Sequence, residues 1–290
     1  MAGSQAFIAA MVQMRTGQNV AANIEAASAL IREAAECGAQ YVLTPEMTTL
    51  LVRDRELLLA RITDEAHDTG LAVFRALARE LNIWLHIGSM AVRFDDERER
   101  VANRSFLISP DGEIRSRYDK IHMFDVDLDN GESWRESRTY QPGEVAVSAD
   151  LPWGRLGLTI CYDLRFSALH RALAETGADF LAVPAAFTRQ TGEAHWHVLL
   201  RSRAIETGCF VFAAAQGGAH EDGRETFGHS LIIDPWGRIL AEGGAEPGVI
   251  TARIDPGLVS EARRKIPVLE NGRRFSVSSP DVVRLDETAP

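Results

Sequence analysis

Cys161 closes an apolar, β-forming run, Gly157-Leu158-Thr159-Ile160, and an amphipathic pattern begins after it. A thiol at the seam between a buried strand and a helix start lies near backbone N–H groups and a helix dipole, both of which favour the nucleophilic thiolate. Two other segments share this layout. Val42-Leu43-Thr44-Pro45 ends at Glu46, and the strand-like run 115–119 ends at Lys120. Side chains at strand ends are held by a rigid sheet while the following loop gives access. A thiol, a carboxylate and an ammonium can together transfer an acyl group without metal or cofactor. The carboxylate takes the thiol proton and later passes it to a leaving amine. The ammonium holds positive charge beside the tetrahedral oxyanion, helped by the backbone N–H of Tyr162, and it also favours the thiolate. Each residue has a plainer reading as well: Cys161 as a small buried hydrophobe, Glu46 and Lys120 as solvated charges. Spacing along the chain leaves both readings open.

The elements that must position these groups alternate in type. Strand patterns at 6–12, 40–44 and 83–92 are interleaved with helical periodicity at 19–37 and 69–81. Segments 103–108 and 114–118 flank Pro110-Asp111-Gly112 and predict a hairpin. The second half repeats the alternation without repeating the sequence. Strands are expected at 156–160, 180–183 and 209–215, helices at 169–176 and 196–206, and a second hairpin across Pro235-Trp236-Gly237. This order implies an α/β (α+β) architecture of layered sheets covered by helices, in one domain over 1–290 with a core at about 6–267 and a less regular tail at 268–290. The long acidic, turn-rich stretch 124–144 has the character of a functional or interfacial loop.

Bulk properties narrow the field. A net charge of −10 on 290 residues argues against nucleic acid or an anionic membrane as the main partner. It leaves room for an anionic small substrate, because the charge inside a pocket can oppose the global sign. Three scattered cysteines (Cys37, Cys161, Cys209) form neither a disulfide framework nor a metal cluster, and they suit a reducing compartment. The N-terminus lacks a basic region, and Gln13 and Arg15 interrupt the apolar stretch that follows. A soluble, cytoplasmic protein is therefore expected.

Pro45-Glu46, Tyr118-Asp119-Lys120-Ile121-His122 and the run from Gly157 through Cys161-Tyr162-Asp163-Leu164-Arg165-Phe166 resemble the signature segments of the carbon–nitrogen hydrolase (nitrilase) superfamily, in the same order. The resemblance extends from about residue 6 to 267. It implies a catalytic Glu46, Lys120 and Cys161, and a four-layer α-β-β-α sandwich that forms a homodimer or higher homo-oligomer. It also implies a further glutamate that orients the lysine, Glu136, with Glu132 close by as the alternative. The segments Ala194-His195-Trp196-His197, Ala213-Ala214-Ala215-Gln216 and Phe227-Gly228-His229-Ser230 are similar to an amidase branch acting on ω-amides of 2-oxo acids and on deaminated glutathione. The implied reaction hydrolyses a small linear amide to acid and ammonia through a Cys161 thioester. Nitrile hydrolysis, N-carbamoyl amide hydrolysis and a non-catalytic binding protein are the alternatives. His195 and Phe187 are expected in the substrate pocket. After Phe166 the chain has Ser167-Ala168 where the family often has Pro-Glu, so a helix-start carboxylate is missing.

Other chemistry-bearing residues are assigned structural roles. Cys209 falls within a continuous apolar strand and Cys37 at a helix end. His195 and His197 sit at i, i+2, which does not share a helix face, so no metal site is expected. Arg201 and Arg203 could grip a carboxylate but are read first as paired or solvated.

Overall fold

Strand β1 (Phe7–Gln13) shows why the chain forms layers. Phe7, Ala9 and Met11 join a core between two sheets, whereas Ala10 and Val12 lie beneath helices. Side chains alternate across a strand, so a strand apolar at every position must be covered on both faces. The computed structural model describes residues 5–94, 100–127, 131 and 133–276. After β1 come α1 (Val20–Glu36), β2 (Tyr41–Leu43), α2 (Arg55–Arg61) and α3 (Thr69–Leu81). Strands β3 (Trp84–Arg93), β4 (Val101–Ile108) and β5 (Ile114–Asp119) complete the first half. A small ribbon follows, β6 (Asp125–Asp127) with β7 (Ser133–Arg135), and then β8 (Val147–Leu151) and β9 (Gly154–Leu158). Next are α4 (Ser167–Glu175), β10 (Ala178–Ala182), α5 (Arg189–Thr207) and β11 (Phe210–Ala213). A second ribbon, β12 (Gly217–Ala219) and β13 (Glu225–Phe227), precedes β14 (Leu231–Ile233), β15 (Ile239–Glu242), β16 (Gly248–Ile254) and α6 (Gly257–Lys265).

The large sheets run β16-β1-β2-β3-β4-β5 and β15-β14-β11-β10-β9-β8. Each has one antiparallel edge strand, three parallel strands and two further antiparallel strands. The two halves thus share one plan although their sequences do not repeat. Tyr41, Phe180 and Phe212 fill the space between the sheets. α1 and α3 pack on the outer face of the first sheet, α4 and α5 on that of the second, giving an α-β-β-α stack.

Local chemistry sets several boundaries. Asn19 caps α1 by accepting from Ala22 N, and Asp68 caps α3 by accepting from Leu71 N. Asn82, in the left-handed region at φ 53°, ends α3 at the residue the periodicity predicts. α5 begins at Arg189, well before the expected 196, because its first turns are polar and carry Gly192. A Cβ at Gly192 would meet Phe227 Cβ at 2.3 Å, so the helix packs here only through glycine. β8 and β16 are edge strands with partly exposed alternation, which sequence periodicity alone did not separate from loop. Gly88 on β3 matters most for the site. A Cβ there would lie 2.1 Å from the Thr44 carbonyl and 2.4 Å from Pro184 Cβ, residues that follow β2 in one sheet and β10 in the other. Glycine lets the two strand ends close on each other.

Candidate active site

Glu46 follows β2, Lys120 follows β5 and Cys161 follows β9, so one sheet supplies two groups and the other supplies the thiol. All three are buried. The Glu46 carboxylate is the hub. Its Oε1 accepts from Lys120 Nζ at 3.0 Å and Asn103 Nδ2 at 2.9 Å, and its Oε2 accepts from the Ala186 N–H at 2.9 Å. The Cys161 thiol is near enough that it and the carboxylate shift each other's titration. Lys120 Nζ donates to both oxygens of Glu136 at 2.9 Å. Glu136 Oε2 in turn accepts from the Phe124 N–H at 2.7 Å, which ties the loop to the floor of the site.

Burial by itself would raise the Glu46 pKa, but the Lys120 charge, the thiol and Asn103 outweigh it and hold the carboxyl below its ordinary range. Burial likewise opposes a charged Lys120, yet Glu136 and Glu46 keep it an ammonium, well above the usual lysine value. The thiol goes the other way. Burial and the neighbouring Glu46 charge push Cys161 well up, and Lys120 only partly offsets them. Burial thus works against a resting thiolate, while the neighbouring Glu46, held ionised, is the base available to take the thiol proton. The expected helix dipole is weak here too, because Cys161 opens a single 3₁₀ turn, Cys161–Arg165, and α4 starts only at Ser167. No side chain caps α4 and its first turn has no acidic residue, in keeping with Ser167-Ala168 in place of Pro-Glu.

Cys161 has φ 51°, a left-handed conformation that is uncommon for a residue with a side chain. Its own N–H and the Asp163 carboxylate hold it there. Its N–H donates to the Pro184 carbonyl at 2.9 Å. Asp163 Oδ2 accepts from the Ile160 N–H at 2.8 Å and from the Tyr118 hydroxyl at 2.7 Å. Asp163 Oδ1 accepts from the His122 N–H at 3.1 Å and contacts His122 Nδ1 at 2.7 Å. This fully buried carboxylate thus locks the turn bearing the thiol to the segment bearing Lys120. The turn leaves the Tyr162 N–H without an intrahelical acceptor, as at any helix start.

A cavity of about 460 Å³ opens above Glu46, Lys120 and Cys161. Tyr162 and Phe187 line it, as expected of pocket residues. His195 does not: it is exposed on α5, with Nδ1 3.3 Å from the Arg165 guanidinium. Its expected place in the pocket wall is corrected, since a helix of mixed polarity hides from sequence which way each residue turns. His197 points elsewhere again, its Nε2 2.9 Å from Glu242 Oε1, which also lies 3.0 Å from His229 Nδ1. Arg203 is buried and donates to the Leu164 carbonyl at 3.0 and 2.8 Å, bracing the turn from behind, and Arg201 donates to the Gly237 carbonyl at 2.8 Å. Cys209 and Cys37 are free, the former buried and the latter exposed. Glu132 lies outside the described residues.

Sequence reasoning missed two positioning residues. Asn103 Nδ2 bridges Glu46 at 2.9 Å and Glu136 Oε1 at 3.3 Å, lowering the repulsion between two carboxylates that share one lysine. The signal was available, a polar amide inside the apolar strand run Val101-Ala102-Asn103. Gln216 is buried behind the hub, donating to the Glu46 carbonyl at 3.0 Å and to Thr16 Oγ1 at 2.7 Å. Sequence marked it only as part of a branch-like motif.

Comparison with known proteins places the chain in a family. Residues 8–264 match the family described as Carbon-nitrogen hydrolase. The deaminated glutathione amidase of Yersinia enterocolitica is 40% identical over 274 residues, covering 93% of this chain and 94% of that protein. The crystal structure of the Caenorhabditis elegans NitFhit protein superposes with a TM-score of 0.86 at 34% identity, covering 93% of this chain and 66% of that one. Saccharomyces cerevisiae Nit3, a member of branch 10 of the nitrilase superfamily, gives a TM-score of 0.80 at 27% identity, covering 92% of this chain and 96% of that one. The chain belongs to the carbon–nitrogen hydrolase (nitrilase) superfamily, in its amidase branch.

Proposed function

We propose that this chain cleaves small linear amides, deaminated glutathione and ω-amides of 2-oxo acids, with Cys161 as nucleophile, Glu46 as general base and acid, and Lys120 as oxyanion stabiliser. The observation that carries this reading is a buried carboxylate hydrogen-bonded to a buried ammonium, with both lining one cavity together with the buried Cys161 thiol. Glu46 takes the thiol proton as Cys161 Sγ bonds to the amide carbon, and the oxyanion forms beside Lys120 and the Tyr162 N–H. Glu46 then protonates the departing nitrogen, the C–N bond breaks and a thioester remains. A water attacks the thioester as Glu46 accepts its proton, and the acid leaves with the thiol restored. The leaving amine is ammonia for an unsubstituted ω-amide and a dipeptide amine for deaminated glutathione. Glu136 holds Lys120 in place throughout.

A cavity of about 460 Å³ is sized for a ligand larger than a five-carbon amide, which favours the tripeptide-like deaminated glutathione. The test is hydrolysis, followed by chromatography, of deaminated glutathione, α-ketoglutaramate, a simple nitrile and an N-carbamoyl amino acid. Fastest turnover of deaminated glutathione is expected. Turnover confined to the nitrile or the carbamoyl compound would overturn the substrate reading while leaving the three groups in their roles.

The protein is assigned to the cytoplasm as one catalytic domain, a placement supported by its three free cysteines. Among the described residues no helix is long and apolar enough to cross a membrane. Two copies pair through the α5–α6 face, where Val198 (69% exposed), Ile205 (53%), Ile266 (52%) and Trp236 (47%) leave apolar surface uncovered. Light scattering at micromolar concentration should give twice the chain mass, and a monomer would remove this assignment.

A further inference from the structure

The mouth of the cavity is cationic in a protein that is anionic overall. Arg53 follows β2, Trp134 lies on β7 and Arg224 sits in the turn between β12 and β13, so three separate parts of the chain converge there. The Arg53 guanidinium lies over the Trp134 ring with its carbon 4.2 Å from the centroid, and that of Arg224 at 4.8 Å. A guanidinium held against an aromatic ring can still present N–H groups to a carboxylate. Arg224 is further fixed by Asp222, which accepts from its Nε at 2.8 Å and from its backbone N–H at 3.1 Å. Its terminal nitrogens make no hydrogen bond to the described residues, and Arg53 makes only a long one, 3.4 Å, to the Ser133 carbonyl. The carboxylates lining the cavity are already engaged: Glu46 and Glu136 by Lys120, and Glu225 by Arg189 at 3.1 Å. Two like charges held on one indole repel each other, and a bound anion relieves that repulsion.

We propose that Arg53, Trp134 and Arg224 form an anion clamp at the cavity mouth that receives the carboxylate of the substrate's acyl part. This rests on the substrate reading above and deepens it. An ω-amide of a 2-oxo acid carries its single carboxylate on the acyl part, and deaminated glutathione has the same acyl part, so a clamp serving both must read that group. The clamp keeps its grip in the thioester stage, since the acyl part is what stays bound to Cys161.

The test compares α-ketoglutaramate with pentanamide, a neutral primary amide that shares the ammonia leaving group. In Arg224→Gln and Arg53→Gln the ratio of kcat/KM for the charged over the neutral amide should fall at least tenfold, mainly through KM. An unchanged ratio in both variants, or equal loss on both amides, overturns the clamp. A second measurement needs no turnover: glutarate should protect Cys161 from iodoacetamide, and the glutarate concentration needed should rise about tenfold in Arg224→Gln. If neither amide is hydrolysed but protection depends on Arg224, the substrate reading fails and the clamp stands. If glutarate gives the unsubstituted protein no protection, the clamp itself falls.

Discussion

The floor and the mouth of the cavity use charge in opposite ways. At the floor, Glu46, Lys120 and Glu136 are withdrawn from water and joined by hydrogen bonds of 2.9 to 3.0 Å, with Asn103 and the Ala186 N–H occupying further carboxylate positions. Water screens these groups little, so each strongly sets the charge of the next. At the mouth, Arg53 and Arg135 are exposed and the contacts are guanidinium–ring contacts and surface ion pairs such as Arg135–Asp127. Screening weakens each such contact. The difference teaches that the floor is built for one fixed arrangement of protons, while the mouth supplies attraction that can adapt to a ligand.

Substitutions should expose this contrast in graded fashion. Cys161→Ala should abolish turnover while circular dichroism and melting stay close to those of the parent, and appreciable hydrolysis by a clean preparation would remove the thiol from the reaction. Lys120→Met should lower kcat on the order of 100-fold or more. It should also carry the acidic limb of the pH–rate profile to higher pH, because the Lys120 charge holds the Glu46 carboxyl low. A near-normal rate with an unmoved limb would show that Lys120 does neither. The mouth substitutions at Arg53 and Arg224 rank below these, with their tenfold change in selectivity.

Buried groups away from the site should show the same sensitivity as a pH dependence of stability. His86 is held between the Tyr41 hydroxyl at 2.8 Å and Ser105 Oγ at 2.7 Å, and burial pushes its pKa down to about 3. His170 is pushed down to about 4, again chiefly by burial. An unfolded histidine takes up a proton near pH 6.5. Between there and these lowered values the unfolded chain binds more protons than the native one, so stability must fall as pH falls. The slope is about 1.4 kcal/mol per pH unit for each group. Urea midpoints at pH 7.5, 6 and 5 should decline, and His86→Gln should flatten the decline by one proton; a pH-independent midpoint would contradict the buried neutral state. At the other extreme, Arg32→Ala breaks the exposed pair with Glu80 (2.6 Å) and should leave the urea midpoint where it was.

How far the sequence carried depended on the range of the cause. The bounds of α3 were legible because Asp68 and Asn82 are local caps. The start of α5 was not, since Gly192 makes sense only against Phe227, far along the chain. β16 was hidden because its strand character lies in pairing with β1 from the opposite end of the chain. Residue types at the ends of β2, β5 and β9 drew attention to Glu46, Lys120 and Cys161, but Asn103 was overlooked inside a strand whose apolar neighbours masked it.

By itself the sequence determined the alternation of strand and helix, the reactive side chain at each of three strand ends, and the motifs that resemble one superfamily. These depend on local propensity, periodicity and residue identity. Tertiary structure alone decided that groups from two sheets meet, through the close approach Gly88 allows, and that burial beside Glu46 pushes the Cys161 thiol up. It also turned His195 out to solvent and gathered Arg53, Trp134 and Arg224 at one mouth. The physical reason is that burial and charge pairing are properties of the packed sheets, set by contacts between residues far apart in the chain.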